Sequence, residues 1–254
     1  MKLHKRQEEI LDVLAKKKFQ TVSSLAKQFF SSEATIRRDL TQLEKRGDVE
    51  RVNGGAFYVK DAHLERPISV TNLDNGDKKA IVAALALDYI SENQIIFLDS
   101  SSTCFYLAQK LSYFNNLTIV TNGLLTAHML SEETNNRIFS TGGEVYSKRS
   151  SVNGYHALRY IEEHNADLLF LSCKGINTHG ITDLTESEAL VKKSFHKKTA
   201  KTILLVDSSK FSTAFFCEAL TLNQIDVLIT DAKLPLDLEK ACLENDIEVI
   251  LPAE

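Results

Sequence analysis

Between Thr21 and Gly47 the apolar positions repeat with a helical period twice in succession. Val22, Leu25, Ala26 and Phe29 fall at i, i+3, i+4 and i+7, one apolar stripe on a first short helix. Phe30-Ser31-Ser32 then breaks the pattern, and a serine hydroxyl there can accept an orphan backbone N–H at the next helix start. The second helix buries Ile36, Leu40 and Leu43. At about 100° per residue, Ala34, Arg38, Thr41 and Lys45 lie on the opposite side, flanked by Arg37 and Thr35. Small residues, a hydroxyl and cations on one exposed helix face suit the DNA major groove. Small side chains let the backbone approach the bases, and arginine can pair with guanine or neutralise phosphate. Two amphipathic helices also occur in domains that never touch nucleic acid, so the pattern defines a helix-turn-helix candidate.

The flanks extend that reading. Gln7 to Lys17 predicts a preceding helix with Ile10, Val13 and Leu14 inward. Lys16, Lys17 and Lys18 trail it, where cations complement the negative helix end. After the candidate recognition helix, Asp48 to Lys60 alternates in the manner of two strands around Asn53-Gly54-Gly55, a turn taken to use positive φ. A hairpin in that position is the wing of a winged helix, and Arg51 could reach the adjacent DNA backbone.

Asp61 to Asp77, with Pro67, Asn72, Asn75 and Gly76 and few apolar residues, reads as a linker. From Lys78 onward the period changes. An Ala-rich helix opens the segment, and short apolar runs then alternate with helical stretches. Strands are predicted at 94–98, 117–121, 137–141, 167–172, 202–206, 226–230 and 248–251, and helices at 103–111, 124–132, 186–198 and 238–244. The fold class is therefore α/β: an N-terminal winged helix-turn-helix (1–60) and a linker (61–77) precede a larger Rossmann-like domain (78–254). That domain has a mostly parallel sheet with helices on both faces.

Charge sharpens the division. Residues 1–60 hold 13 Lys and Arg against 8 Asp and Glu, a net of about +5, and the rest carries about −9 within a whole-chain −4. Contact with DNA phosphates is expected at the N-terminus alone. Cys104, Cys173, Cys217 and Cys242 show no CxxC spacing and the histidines no HExxH, so neither metal nor disulfide is expected. The charged N-terminal start lacks a signal peptide's apolar core and no apolar run approaches ~20 residues, so a cytoplasmic protein with no membrane partner is expected.

Candidate ligand chemistry lies beyond the carboxyl ends of the predicted strands. Asp99-Ser100-Ser101-Ser102-Thr103 runs into a helix start, where hydroxyls and free amides make an anion site; plain N-capping by a serine-rich loop is the alternative. Thr121-Asn122-Gly123 and Thr141-Gly142-Gly143 end two more strands. Lys174 beside Gly175 could pair an anion, and Asp183, Glu186 and Glu188 could accept sugar hydroxyls. Thr185-x-x-Glu188 is equally a capping box, and Glu188–Lys192 an i, i+4 pair. Lys210 either faces the cleft or forms a local pair with Asp207. No GxGxxG or GxxxxGK[ST] is present, so no nucleotide cofactor is expected.

The stretch EATIRRDLTQLEKRGDVERVNGGA resembles the signature of the DeoR family of bacterial transcriptional regulators, with Asn53 where the family usually shows His. The resemblance continues through Lys78, Asp99 to Thr103, Thr121-Asn122, Gly142-Gly143, Lys174 to Ile176, Gly180, Glu186, Glu188 and Asp207 to Lys210. It implies a sensor domain similar to ribose-5-phosphate isomerase that binds a phosphorylated sugar or related metabolite. By that likeness Lys78 and Ser100 to Thr103 hold the phosphate, while Lys174, Asp183, Glu186 and Glu188 line the sugar end. The family commonly has Gly-Thr-Thr where this chain has Ser101-Ser102-Thr103, which keeps the hydroxyls and loses a glycine's close approach.

The expected DNA-binding set is thus Ser32, Ala34, Thr35, Arg37, Arg38, Thr41, Lys45, Arg51, Asn53, Gly54 and Gly55. The expected function is a repressor of a carbohydrate operon that binds operator DNA as a homo-oligomer, dimer or tetramer. The alternative is a working sugar-phosphate isomerase with an appended helical domain, because Lys174, Asp183 and Glu186 are groups able to move a proton next to a carbonyl.

Overall fold

The computed structural model describes residues 5–17, 19–52, 54–58, 72, 74–146 and 149–253. Lys18, Asn53, Val59, Lys60 and most of the expected linker, Pro67 included, lie outside the described residues. The chain divides into two compact units, Met1–Leu73 and Asp74–Glu254.

In the first unit, α1 (Lys5–Lys17), α2 (Val22–Gln28) and α3 (Glu33–Lys45) pack over a three-stranded antiparallel sheet of order β1-β3-β2. Its strands are β1 (Phe19–Thr21), β2 (Val49–Val52) and β3 (Gly55–Tyr58). Ile10, Leu14, Leu25, Ile36, Leu40 and Leu43 fill the core with no exposure. Both later helices are capped as hydroxyl chemistry dictates: Thr21 Oγ1 accepts from Ser24 N at 3.1 Å, and Ser32 Oγ accepts from Thr35 N at 3.2 Å. Ser31 does not cap; its hydroxyl donates to the Phe29 carbonyl at 3.1 Å. Phe30 turns the chain between α2 and α3 with φ 48° and is 98% exposed.

Two features depart from the sequence reading. Strand β1 is too short to show a period, yet it pairs along β3 from Phe19↔Phe57 to Thr21↔Gly55. That pairing changes the role of Gly55. Gly54 does have positive φ (87°), but Gly55 is needed for room, since a Cβ there would stand 2.5 Å from the Gln20 carbonyl oxygen.

The second unit is built on a seven-stranded sheet of order β15-β14-β12-β9-β4-β5-β6, parallel at every junction. Its strands are β4 (Ile95–Leu98), β5 (Thr118–Thr121), β6 (Arg137–Ser140), β9 (Ala166–Leu171), β12 (Thr199–Val206), β14 (Val227–Thr230) and β15 (Glu248–Ile250). Successive residues of β12 serve opposite faces. Ile203 and Leu205 pack with α4 (Gly76–Leu85), α5 (Ser102–Ala108) and α6 (Leu124–Glu133), while Leu204 and Val206 pack with α7 (Tyr155–Glu162), α8 (Glu186–Lys197) and α9 (Leu236–Glu244). Burial on both faces explains why these strands read as continuous apolar runs. Helix α4 starts at Gly76, two residues earlier than expected, and ends in a 3₁₀ turn at Ala86–Tyr89.

Three further parts are not among the elements expected from the sequence: α7, a hairpin of β7 (Glu144–Tyr146) and β8 (Ser151–Asn153), and a small antiparallel sheet of order β10-β11-β13. That sheet comprises β10 (Gly175–Asn177), β11 (Gly180–Asp183) and β13 (Cys217–Thr221). These strands are three to five residues long and partly glycine, too short for alternation to emerge.

Candidate functional site

On α3 the expected groove-facing residues are on the surface: Ala34, Arg37, Arg38 and Lys45 are exposed, and Thr35 and Thr41 half-buried. The exposed Ser32 hydroxyl is engaged as the cap. Arg37 pairs with Glu33 at 2.9 Å, and Thr41 Oγ1 donates back to the Arg37 carbonyl at 2.8 Å. Arg51 folds from the wing onto the helix, donating to Thr41 Oγ1 at 2.7 Å with Glu44 3.5 Å away. Arg38 and Lys45 make no hydrogen bond or ion pair among the described residues. Asp39, inside the signature, is buried and takes no part in that face. It accepts from Arg6 Nε at 2.6 Å and Gln7 Nε2 at 3.3 Å, locking α1 to α3.

In the α/β unit the carboxyl ends of β4, β5, β9 and β12 bring most of the expected ligand residues together. Asp99 is structural: its two oxygens accept from Ser101 N (2.9 Å) and Ser172 N (3.1 Å), stitching the ends of β4 and β9. Ser101 caps α5 by accepting from Cys104 N at 3.2 Å, so the capping alternative holds for that hydroxyl. Ser100 and Ser102 are half-buried, and Ser100 Oγ accepts from Asn122 Nδ2 at 3.3 Å. Lys210 forms the local pair with Asp207 at 3.5 Å and also donates to Ser172 Oγ (2.8 Å) and Thr103 Oγ1 (3.2 Å) beyond the ends of β9 and β4.

Neighbouring residues separate by side. Lys78 points to the loop after β12, donating to Ser208 Oγ at 2.7 Å with Asp231 at 3.9 Å. The buried lysine is Lys79, which burial first and the Lys210 charge next push down to about 8. The signal was present: Lys79, Val82, Ala83 and Ala86 sit at i, i+3, i+4 and i+7 and are all buried. Glu186 is exposed, apart from the buried charges, whereas Glu188 is buried. Two helical residues differ by about 200° in direction, so the pair cannot share a face. Gly175 makes room for the Thr213 carbonyl, 2.5 Å from where its Cβ would lie.

Two buried cations complete the cluster. Arg149 Nε donates to Glu188 Oε1 at 3.1 Å. Burial alone would raise the Glu188 carboxyl, but the charges of Arg149, Lys192 and Lys174 hold it below the usual carboxylate range. Lys192 donates to Asp183 at 2.5 Å and stands 3.7 Å from Asp99, in place of the expected pair with Glu188. Burial opposes its charge, yet the surrounding carboxylates hold it protonated above the ordinary lysine range. The Thr185 cap is as expected, accepting from Glu188 N at 3.4 Å. Lys174 is half-buried and makes no side-chain hydrogen bond or ion pair among the described residues. Burial first, then the Arg149 and Lys210 charges, push it down to about 7. A separate cavity of about 600 Å³ on the small sheet, lined by His179, Lys193 and Phe216 among others, contains none of the expected site residues.

A winged helix-turn-helix followed by a parallel α/β unit with a cluster of charges at its strand ends has the build of a ligand-responsive regulator. Residues 6–62 match the DeoR-like helix-turn-helix domain and residues 74–232 the DeoR C terminal sensor domain. The chain is 34% identical to the uncharacterized HTH-type transcriptional regulator YulB of Bacillus subtilis, covering 98% of this chain and 96% of that one. It is also 34% identical to the HTH-type transcriptional regulator GolR of Listeria innocua, over 92% and 93% of the two chains. Other relatives are named as repressors and one as an L-fucose operon activator. Among solved structures, ribose 5-phosphate isomerase A of Methanocaldococcus jannaschii covers 54% of this chain and 55% of its own, at 16% identity and a TM-score of 0.40. The chain belongs to the DeoR family of helix-turn-helix transcriptional regulators, and so stands among regulators and not enzymes.

Proposed function

We propose that this regulator is a cytoplasmic, homo-oligomeric repressor of a carbohydrate-metabolism operon whose grip on operator DNA changes when a phosphorylated sugar binds the α/β unit. The observation that carries the reading is the group of cations at the strand ends, Lys79 and Arg149 buried and Lys174 and Lys210 half-buried, beside a polar edge suited to an anion with hydroxyls. Two relatives named as repressors support the sign, and the fucose operon named for another supports the metabolic setting. Pairing of winged-helix readers on two half-sites supports the oligomer.

For DNA, Arg38 carries base readout and Lys45 a phosphate contact. Arg38→Ala is expected to cost about 1–3 kcal/mol and relax sequence preference, whereas Lys45→Ala weakens all sequences alike and lowers the salt slope by about one. An unchanged gel shift with Arg38→Ala would remove α3 from the groove. For the effector, a sugar-phosphate panel is expected to contain a compound that raises the melting temperature by mass action and alters operator binding. A reporter that falls when the gene is deleted would reverse the sign to activation.

A further inference from the structure

The buried charges of the α/β unit answer one another almost completely. Lys192 answers Asp183 and Asp99, Lys210 answers Asp207, and Arg149 answers Glu188 through its Nε. Two donors are left over. Arg149 is 8% exposed, and its Nη1 is buried with no hydrogen-bond partner. Lys174 has no partner for its ammonium among the described residues, although the Arg149 charge acts on it. Keeping two cations close enough to act on one another, one of them with a buried unmet donor, is unfavourable unless an acceptor joins them.

Four buried acceptors of this unit lack a hydrogen bond among the described residues, Thr141 Oγ1, Thr230 Oγ1, Asp207 Oδ2 (3.5 Å from Lys210) and Asn122 Oδ1, and the last is on the segment tied to Arg149. Asn122 is 2% exposed and donates from Nδ2 to Ser100 Oγ, the Val152 carbonyl and Asn153 Oδ1, each at 3.3 Å. Those acceptors fix the amide orientation, and its Oδ1 is buried without a partner. The segment carrying Arg149 is fastened to the end of β5: Leu124 N donates to the Ser150 carbonyl at 2.8 Å and Val152 N to the Asn122 carbonyl at 2.7 Å. The Ser100–Thr103 loop has less to offer, because Ser101 is engaged as a cap and Thr103 already accepts from Lys210.

We propose that Arg149 and Lys174 form the anion clamp of the effector site, taking an oxyanion carried on a polyol, while Asn122 Oδ1 accepts from one of that ligand's hydroxyls. A planar guanidinium beside an ammonium suits a phosphate or a carboxylate. The clamp rests on the effector reading above and moves the anion from the serine loop, where the resemblance had placed it, to the junction of β8 and β10.

The test uses the full-length protein with inorganic phosphate, ribose 5-phosphate, glucose 6-phosphate and gluconate, read by thermal shift and calorimetric titration. Lys174→Met removes a cation with no partner, so the ligand-free protein should melt at or above the wild-type temperature while anion affinity falls at least tenfold. Arg149→Met combined with Glu188→Gln removes the second arm without stranding a buried carboxylate, and should lower affinity similarly. A sugar phosphate bound equally well by wild type and both variants would overturn the clamp and leave the effector reading standing. Inorganic phosphate bound and lost in the variants, with no sugar compound bound, would uphold the clamp and end the sugar reading. Gluconate in place of the sugar phosphates would assign a carboxylate. No binding of any probe to wild type would overturn both.

Discussion

Arg37 and Glu33 stand 2.9 Å apart with 57% and 47% of their side chains in water; Arg149 and Glu188 stand 3.1 Å apart with 9% and 6%. The geometry is nearly the same and the consequences are opposite. An exposed pair exchanges freely with water and salt and is worth a few tenths of a kcal/mol, so Arg37 can leave Glu33 for a phosphate at little cost. A buried pair cannot exchange, and removing one member strands the other where no solvent reaches it. The outer face of α3, which we propose meets DNA, is thus a set of loosely held charges. The buried cluster is a fixed array, its charges oriented by their own pairs.

The hardest test of that contrast is Lys192→Met. It leaves Asp183 and Asp99 without their shared cation in the buried cluster. The expected loss is about 3–5 kcal/mol of local stability in β4, β9 and β12, read by hydrogen exchange on the full chain, with α2 and α3 unaffected. A loss below about 1 kcal/mol would mean that water reaches the cluster and that its pairs behave like Arg37–Glu33.

A smaller effect comes from pH. Because burial and neighbouring cations push Lys174 to about 7 and Lys79 to about 8, both change charge in the range where a regulator works. Sulfate keeps its charge throughout, which makes it a clean probe. Its affinity should be highest below pH 7 and fall by up to about tenfold per unit as Lys174 loses its proton. Lys174→Met should abolish the first part of that fall and leave the part due to Lys79. In the ligand-free protein the sign is set by the unfolded chain, which holds the proton up to the ordinary 10.5, so stability rises with pH from about 7 toward that value. A flat sulfate profile would mean that the ammonium is solvated.

The same contrast explains what the chain disclosed in advance. Ile36, Leu40 and Leu43 declare the buried side of α3 within eight residues, and the outer face follows from it. The strands of the large sheet are legible because both faces are covered. The cluster is not legible, since Arg149 meets Glu188 across 39 positions and Lys210 meets Thr103 across 107. No local period encodes such meetings. Where local signals existed they had to be weighed against each other: the helical stripe selects Lys79 over Lys78, and the capping position selects Glu188 over Glu186. Asp39 falls on the buried stripe of Ile36, Leu40 and Leu43, so its burial is legible, whereas its partners Arg6 and Gln7 lie on another helix and are not.

The smallest effect expected is at Phe30, where exposure removes packing from consideration. Its φ of 48° lies in the left-handed region, unfavourable by about 1–2 kcal/mol for a residue bearing a Cβ, and almost none of its ring is covered. Phe30→Gly relieves the dihedral at the expense of a more flexible unfolded chain, for a net gain of about 0.5–1 kcal/mol. Phe30→Ala keeps the Cβ and should gain nothing. Hydrogen exchange in α2 and α3 distinguishes the two. If alanine stabilised as much as glycine, the ring in water and not the backbone would be the source of strain. The exposed unit would then be limited, like the buried one, by what its side chains touch.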